Sequence, residues 1–177
     1  MAMTGLNRLN SLDLSSNNLA GCVEDGALFY NTSMPYLKSL KISDNNLKVI
    51  PTRAFDRFSA LEELDLSGNP IATMHIGAFE PLHLRALFLN TSSLLCDCHA
   101  SWFANWLFTS NIDRLHIVAR CAHPIPLAGI DVVAIDISNL TCGETYTQFP
   151  KYMIIRREFD NFYKIMKRIN KYIKQLL

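Results

Sequence analysis

At 177 residues, 49% of them apolar, the chain has material for one modest core or a short array. A net charge of +1 hides a split: residues 1–142 carry nine Lys and Arg against thirteen Asp and Glu, and residues 143–177 carry eight against three. The acidic main part argues against a nucleic-acid partner, and no uncharged apolar run of about 18 residues is present to cross a bilayer.

The chain opens Met1-Ala-Met-Thr-Gly, without the charged and apolar regions of a signal peptide. Met3 and Leu6 read as the loop of a repeat whose strand lies upstream. Taken with cysteine usage that suits an oxidising compartment, the missing leader and missing N-terminal cap read as truncation of a longer array. The first coil is then expected to leave an apolar edge open and the fragment to be marginal alone.

Four segments share one pattern. Leu9-Asn-Ser-Leu12-Asp-Leu14-Ser-Ser-Asn17-Asn-Leu19 is matched by Leu37-Lys-Ser-Leu40-Lys-Ile42-Ser-Asp-Asn45-Asn-Leu47 and by Leu61-Glu-Glu-Leu64-Asp-Leu66-Ser-Gly-Asn69-Pro-Ile71. A weaker copy runs Leu84-Arg-Ala-Leu87-Phe-Leu89-Asn-Thr-Ser92-Ser-Leu94, with Ser92 where the others have Asn. The first leucines stand 28, 24 and 23 residues apart. Within each segment apolar residues alternate with polar ones, the period of a strand with one buried face. An Asn at the strand exit can hydrogen-bond backbone groups that have no ladder partner. This is the leucine-rich repeat signature, so residues 1–95 are expected to form an α/β solenoid of about four short parallel strands.

Between the strands, Gly21-Cys22-Val23-Glu24-Asp25-Gly26 reads as a loop bulging from the convex side. The next two convex segments each place an Ala-Phe pair at one spacing from the Asn, Ala54-Phe55 and Ala78-Phe79. Those phenylalanines are expected to stack as a ladder inside the solenoid. On the concave side the outward residues form three rows: Asp13, Lys41, Asp65, Phe88; Ser11, Ser39, Glu63, Ala86; and Ser15, Ser43, Ser67, Asn90. A polar exposed strand face is ordinary solvation by default. Curved solenoid faces also take partners, and Asp13, Lys41, Asp65, Phe88, Ser39 and Glu63 are the candidate binding face. Phe88 is either an aromatic anchor or a residue packed under the C-terminal cap.

That cap is the cysteine-rich segment 96–142, in which Cys96-Asp97-Cys98 precedes Cys121 and Cys142. Ser101 to Leu107 is predicted as a short helix with Trp102 and Trp106 four apart on one face. That face can cover the open apolar edge of the last coil. Four cysteines permit three pairings; a Cys96–Cys98 bond would be strained, which leaves two bonds to distant partners. Cys96, Cys98, His99, Cys121 and His123 also offer zinc ligands, but with the wrong spacing for a C-x2-C finger. No spaced base and acid accompany any cysteine, so neither a nucleophile nor any other enzyme site is expected, and no cofactor. Cys22 is left over and reads as free.

Cys-x-Cys…Cys…Cys after leucine-rich repeats resembles the C-terminal flanking cap of extracellular repeat proteins. Leu95-Cys-Asp-Cys98, the Trp-Leu helix, Cys121-Ala-His-Pro124 with Leu127 and Gly129, and Gly21-Cys-Val-Glu-Asp25 resemble the leucine-rich repeat and immunoglobulin-like domain transmembrane proteins, across about residues 1–142. In such caps the first cysteine joins the third and the second the fourth, which implies Cys96–Cys121 and Cys98–Cys142. The resemblance further implies a cell-surface protein of a single-pass membrane parent that binds and restrains growth-factor receptors. The partner class is then protein, a receptor ectodomain, with no nucleic acid and no small-molecule substrate. The alternative is a spacer within a longer ectodomain. Sequons at Asn31, Asn90 and Asn139 fit a secreted glycoprotein.

Past Cys142 the resemblance stops. Residues 143–177 read as a basic amphipathic helical tail, with Ile155, Phe159, Phe162, Met166, Ile169, Ile173 and Leu176 at helical spacing. Nineteen of its last 27 residues are Phe, Tyr, Met, Ile, Asn or Lys, the composition of translated AT-rich non-coding sequence. Packing on the array and membrane binding are the other two readings.

Overall fold

The computed structural model describes residues 8–25 and 34–142. The strands are short because each repeat has only three residues between its entry leucine and its turn. They are β1 (Ser11–Asp13), β2 (Ser39–Lys41), β3 (Val49–Ile50), β4 (Glu63–Asp65), β5 (Thr73–Met74), β6 (Ala86–Leu95) and β7 (Ile117–His123). The main sheet is parallel with order β1-β2-β4-β6-β7, and β3 pairs with β5 in a second, two-stranded sheet. Register follows the repeats: Leu12 faces Leu40, Leu40 faces Leu64, and Leu64 faces Leu87. Leu40, Leu64 and Leu87 are fully buried. One inner column of leucines thus runs through the array, and repeats and cap belong to one compact unit, Gly5–Cys142.

The asparagines hold that register. Asn69 Oδ1 accepts from the backbone N–H of Asn45 (2.8 Å) and Leu47 (3.0 Å) in the coil before it. Its Nδ2 donates to the carbonyls of Ile42 and Leu66, both at 2.9 Å. Asn45 repeats the arrangement one coil earlier, accepting from Asn17 N and Leu19 N and donating to Leu14 O and Ser43 O. Both side chains are fully buried, and each amide satisfies backbone groups that are buried around Asn69 and part-buried around Asn45. The residue before each Asn turns the chain out of the strand with a left-handed backbone: Ser16 at φ 59°, Asp44 at φ 53° and Gly68 at φ 68°.

The fourth repeat departs from this plan. Ser92 is exposed, and it is Thr91 that turns inward, its Oγ1 donating to Ile71 O at 2.8 Å. The strand does not turn there. β6 runs on for ten residues, its first part paired with β4 and its second with β7. The sheet therefore has a fifth strand, drawn from the cap, where the repeats alone predict four. The convex insertion also differs from the expected loop: Ala20–Glu24 form a short helix, α1. Glu24 Oε1 accepts from Lys48 N (2.7 Å) and Val49 N (3.1 Å), so the helix end supplies what a strand would have supplied at the edge of β3.

The phenylalanine ladder forms as expected. Phe55 and Phe79 are buried and stack with centroids 6.4 Å apart and planes 5° from parallel. The basic tail, residues 143–177, and the sequon at Asn31 lie outside the described residues.

Replacing Asn69 with Ala strands two buried N–H groups. At about 1–3 kcal/mol for each unsatisfied group, urea unfolding is expected to show a loss of roughly 3 kcal/mol. Asn17→Ala, at an exposed side chain, should cost well under half of that. Equal losses would contradict the amide-ladder account.

Candidate binding face and its cap

The parallel register carries the outward residues into rows. Asp13 pairs with Lys41, Lys41 with Asp65, and Asp65 with Phe88; Ser11 pairs with Ser39, Ser39 with Glu63, and Glu63 with Ala86. All six candidate residues, Asp13, Lys41, Asp65, Phe88, Ser39 and Glu63, therefore lie on one sheet face. Asp13, Lys41 and Glu63 are exposed, and Ser39, Asp65 and Phe88 half-buried. The third row is tied across coils, with Ser43 Oγ donating to Ser15 Oγ at 2.8 Å.

The carboxylates of the middle row also serve their own strand ends. Asp13 Oδ1 accepts from Ser15 N at 3.0 Å, and Asp65 Oδ1 from Ser67 N at 2.9 Å. The Ser15 backbone N–H, and then its hydroxyl, hold Asp13 below the usual carboxylate range, with a smaller contribution from Lys41. Phe88 stacks on His116 of the cap, with centroids 4.7 Å apart and planes 25° from parallel. One face of its ring is thereby covered, and the residue as a whole is half-buried.

Two features of this face escape the strand-by-strand reading. One residue before each strand, Lys38, Glu62 and Arg85 line up, with Lys38 Nζ 3.0 Å and Arg85 NH1 3.5 Å from the Glu62 carboxylate. The Lys38 hydrogen bond, ahead of the Arg85 and Lys38 charges, holds Glu62 low. The signal was opposite charge recurring at one repeat position. The second is β7, which places Val118 beside Asn90. Its signal was the period-two alternation Ile117, Ala119, Cys121.

The cap closes the open end of the array. A 3-10 turn, Cys98–Ala100, leads into α2 (Ser101–Thr109). Asp97 Oδ1 caps that turn by accepting from His99 N at 2.8 Å. From α2, Trp102, Phe103 and Trp106 close on Phe79 at 6.1, 6.2 and 4.8 Å between centroids, so the aromatic ladder continues into the lid. Trp102 Nε1 donates to Met74 O at 2.8 Å, giving that repeat carbonyl a partner.

Cys96 is bonded to Cys121 and Cys98 to Cys142, with Cα–Cα distances of 5.5 and 5.0 Å. Cys96 and Cys121 are buried, Cys98 is half-buried and Cys142 exposed. The sulfurs of Cys96, Cys98 and Cys121, considered above as zinc ligands, are thus all engaged in disulfides, and His123 stands exposed on β7. Cys22 is the free cysteine, half-buried on α1, and burial raises its thiol above the usual range. Of the sequons, Asn90 is exposed on the concave row beyond Ser67, and Asn139 is exposed in the cap. Among the described residues, no helix is long and apolar enough to cross a membrane.

The leucine rich repeat family matches residues 35–94. Leucine-rich repeats and immunoglobulin-like domains protein 2 of Homo sapiens is 42% identical over 66 residues, 37% of this chain and 6% of that protein. Trophoblast glycoprotein of Macaca fascicularis is 26% identical over 146 residues, 80% of this chain and 34% of that protein. Leucine-rich repeat and fibronectin type-III domain-containing protein 4 of Rattus norvegicus is 29% identical over 148 residues, 77% of this chain and 21% of that protein. The chain therefore spans only a small part to a third of these relatives. Among solved structures, human 5T4 (Wnt-activated inhibitory factor 1, trophoblast glycoprotein) superposes with a TM-score of 0.57 at 23% identity, over 79% of this chain and 50% of that one. This likeness shows the fold: a leucine-rich repeat solenoid with a disulfide-bonded cap.

In an NMR titration the Asp13 carboxyl is expected to protonate below the ordinary Asp value of about 3.9. A carboxylate lowered by folding adds stability above its unfolded pKa, and that stability is lost as pH falls through the folded one. Ser15→Ala should move Asp13 part of the way back, by more than Lys41→Ala does. The reverse order would show that the Lys41 charge outweighs the Ser15 hydroxyl, the Ser15 backbone N–H being kept in both variants.

Proposed function

We propose that this leucine-rich repeat solenoid, closed by its two-disulfide cap, is an extracellular protein-binding module of a cell-surface protein. The observation that carries the reading is the row Asp13, Lys41, Asp65, Phe88, set in register on one sheet face with its first two residues exposed and its last two half-buried. A rigid curved sheet presenting charge of both signs beside one aromatic suits a folded protein surface, where charge complementarity sets partner choice.

The partner proposed is a receptor ectodomain, and the outcome proposed is restraint of growth-factor signalling. This follows the resemblance to the leucine-rich repeat and immunoglobulin-like domain proteins, and the 42% identity to one of them supports it. We also propose glycans at Asn31, Asn90 and Asn139. Asn90 lies two residues beyond Phe88 on the same exposed face. A glycan there borders the face on its cap side and leaves Asp13, Ser39, Lys41, Glu63 and Asp65 to the partner.

A spacer role has one observation in its favour. Asp13 and Asp65 already accept from their own turns, and one face of Phe88 is covered by His116.

One substitution separates the two. Lys41→Asn creates a sequon with Ser43 at the centre of the face. The protein secreted from glycosylating cells, carrying that added glycan, should capture soluble growth-factor-receptor ectodomains roughly tenfold less well or not at all, with thermal stability unchanged. Capture equal to the unsubstituted protein would remove the concave-face reading, and absence of capture by either protein would favour the spacer.

A further inference from the structure

The sulfurs of the exposed disulfide do not sit alone. His99 Nδ1 lies 3.7 Å from Cys98 Sγ and 3.7 Å from Cys142 Sγ, and 3.3 Å from Asp97 Oδ1. The three ligand atoms of Cys98, His99 and Cys142 all fall within 4.8 Å of one another. Tetrahedral zinc with bonds of about 2.3 Å to sulfur and about 2.0–2.1 Å to nitrogen sets its ligands about 3.5–3.8 Å apart. The two S···N distances already have that value. The S···S separation alone must change, and opening the bond changes it.

We propose that Cys98, His99 and Cys142 form a redox-gated site for a borderline-soft divalent cation such as zinc, hidden while the disulfide is closed. The balanced sequence has two steps. A dithiol reductant transfers two electrons: its thiolate attacks one sulfur of the Cys98–Cys142 bond, its second thiol resolves the mixed disulfide, and the products are two cysteine thiols and the oxidised reductant. The cation then displaces the two thiol protons to solvent and bonds both sulfurs; the proton that His99 Nδ1 shares with Asp97 Oδ1 passes by way of solvent to Nε2, which frees the Nδ1 lone pair for the cation. Three protein ligands leave the fourth position to water.

Two further observations place this chemistry at this bond. Access selects it, since Cys96 and Cys121 are 1% and 2% exposed while Cys142 is at the surface. The backbone that carries the imidazole is fixed, because the Asp97 carboxylate accepts from His99 N and caps the turn bearing both Cys98 and His99. The consequence is a cap that keeps its end tied under reducing conditions, the cation replacing the covalent link.

The test uses the full chain, oxidised and then treated with graded dithiol. Alkylation and mass mapping should show Cys98 and Cys142 opening before Cys96 and Cys121, with Cys22 labelled throughout. After reductant removal, one equivalent of Co2+ should give the sulfur-to-metal charge-transfer band and the visible bands of a tetrahedral thiolate site. One equivalent of Zn2+ should protect Cys98 and Cys142 from alkylation. The oxidised chain should do neither. His99→Ala, at an exposed side chain, should bind roughly tenfold or more weakly, whereas Cys22→Ser should bind as before. The proposal is overturned if both disulfides open together, or if the reduced chain gives no thiolate–cobalt band. It is equally overturned if His99→Ala binds as tightly, or if Cys22→Ser abolishes the signal.

Discussion

Side-chain amides buried between coils are the constraint on which this structure depends. A coil with three strand residues makes too few ladder bonds to fix its own height above the next. Asn45 and Asn69 supply the remainder, each accepting from two backbone N–H groups of the preceding coil and donating to carbonyls of both. The groups around Asn69 are buried and those around Asn45 part-buried, so a bond left unmade carries a desolvation cost that is largest at Asn69. That cost penalises any slip. Once height is fixed, Leu40, Leu64 and Leu87 can share one dry column, and the outward residues fall into rows.

The same stacking creates an end that must be closed. Phe79 stacks on Phe55 in the ladder, and its outer face would meet solvent were it not for Trp102, Phe103 and Trp106. α2 carries that lid and buries Phe103, Ala104 and Leu107. The chain around it is tied by Cys96–Cys121 and Cys98–Cys142, across sequence separations of 25 and 44 residues. In the chain-entropy model such loops contribute roughly 3–4 kcal/mol each. The two bonds differ in kind: one lies in the interior and serves the lid, and the other lies at the surface beside an imidazole.

Much of this was legible in the residues, and the exceptions have physical causes. Asn17, Asn45 and Asn69 recur in register, and their period announces the solenoid. Phe55 and Phe79 announce the ladder, and Trp102 with Trp106 the lid. The fourth repeat departs from its pattern at Ser92 because the pattern counts positions and not pairing. With β7 available as a neighbour, β6 has no reason to turn, and the inward residue becomes Thr91. β7 was signalled by the alternation of Ile117, Ala119 and Cys121, but its pairing with β6 is set by tertiary placement, which periodicity does not report. The glycine at 21 argued for a loop, yet Glu24 gains two backbone donors by ending a helix there. The link of Lys38, Glu62 and Arg85 appears only when the repeats are laid in register. On the candidate face, the positions followed from the pattern, and packing of Phe88 under the cap was one of its two readings; that His116 is the cap residue stacked on it did not follow, since those residues are far apart in sequence.

Amide hydrogen exchange tests the central claim most directly. The N–H groups of Asn45 and Leu47 donate to a side chain and belong to no strand, so nothing but the Asn69 amide protects them. They are expected to exchange as slowly as the N–H of Leu66, which donates to Phe88 O within the sheet at 2.8 Å. Exchange of Asn45 and Leu47 at the rate of an unstructured peptide, with Leu66 still protected, would show that the coils keep their register without the amides and would contradict the account.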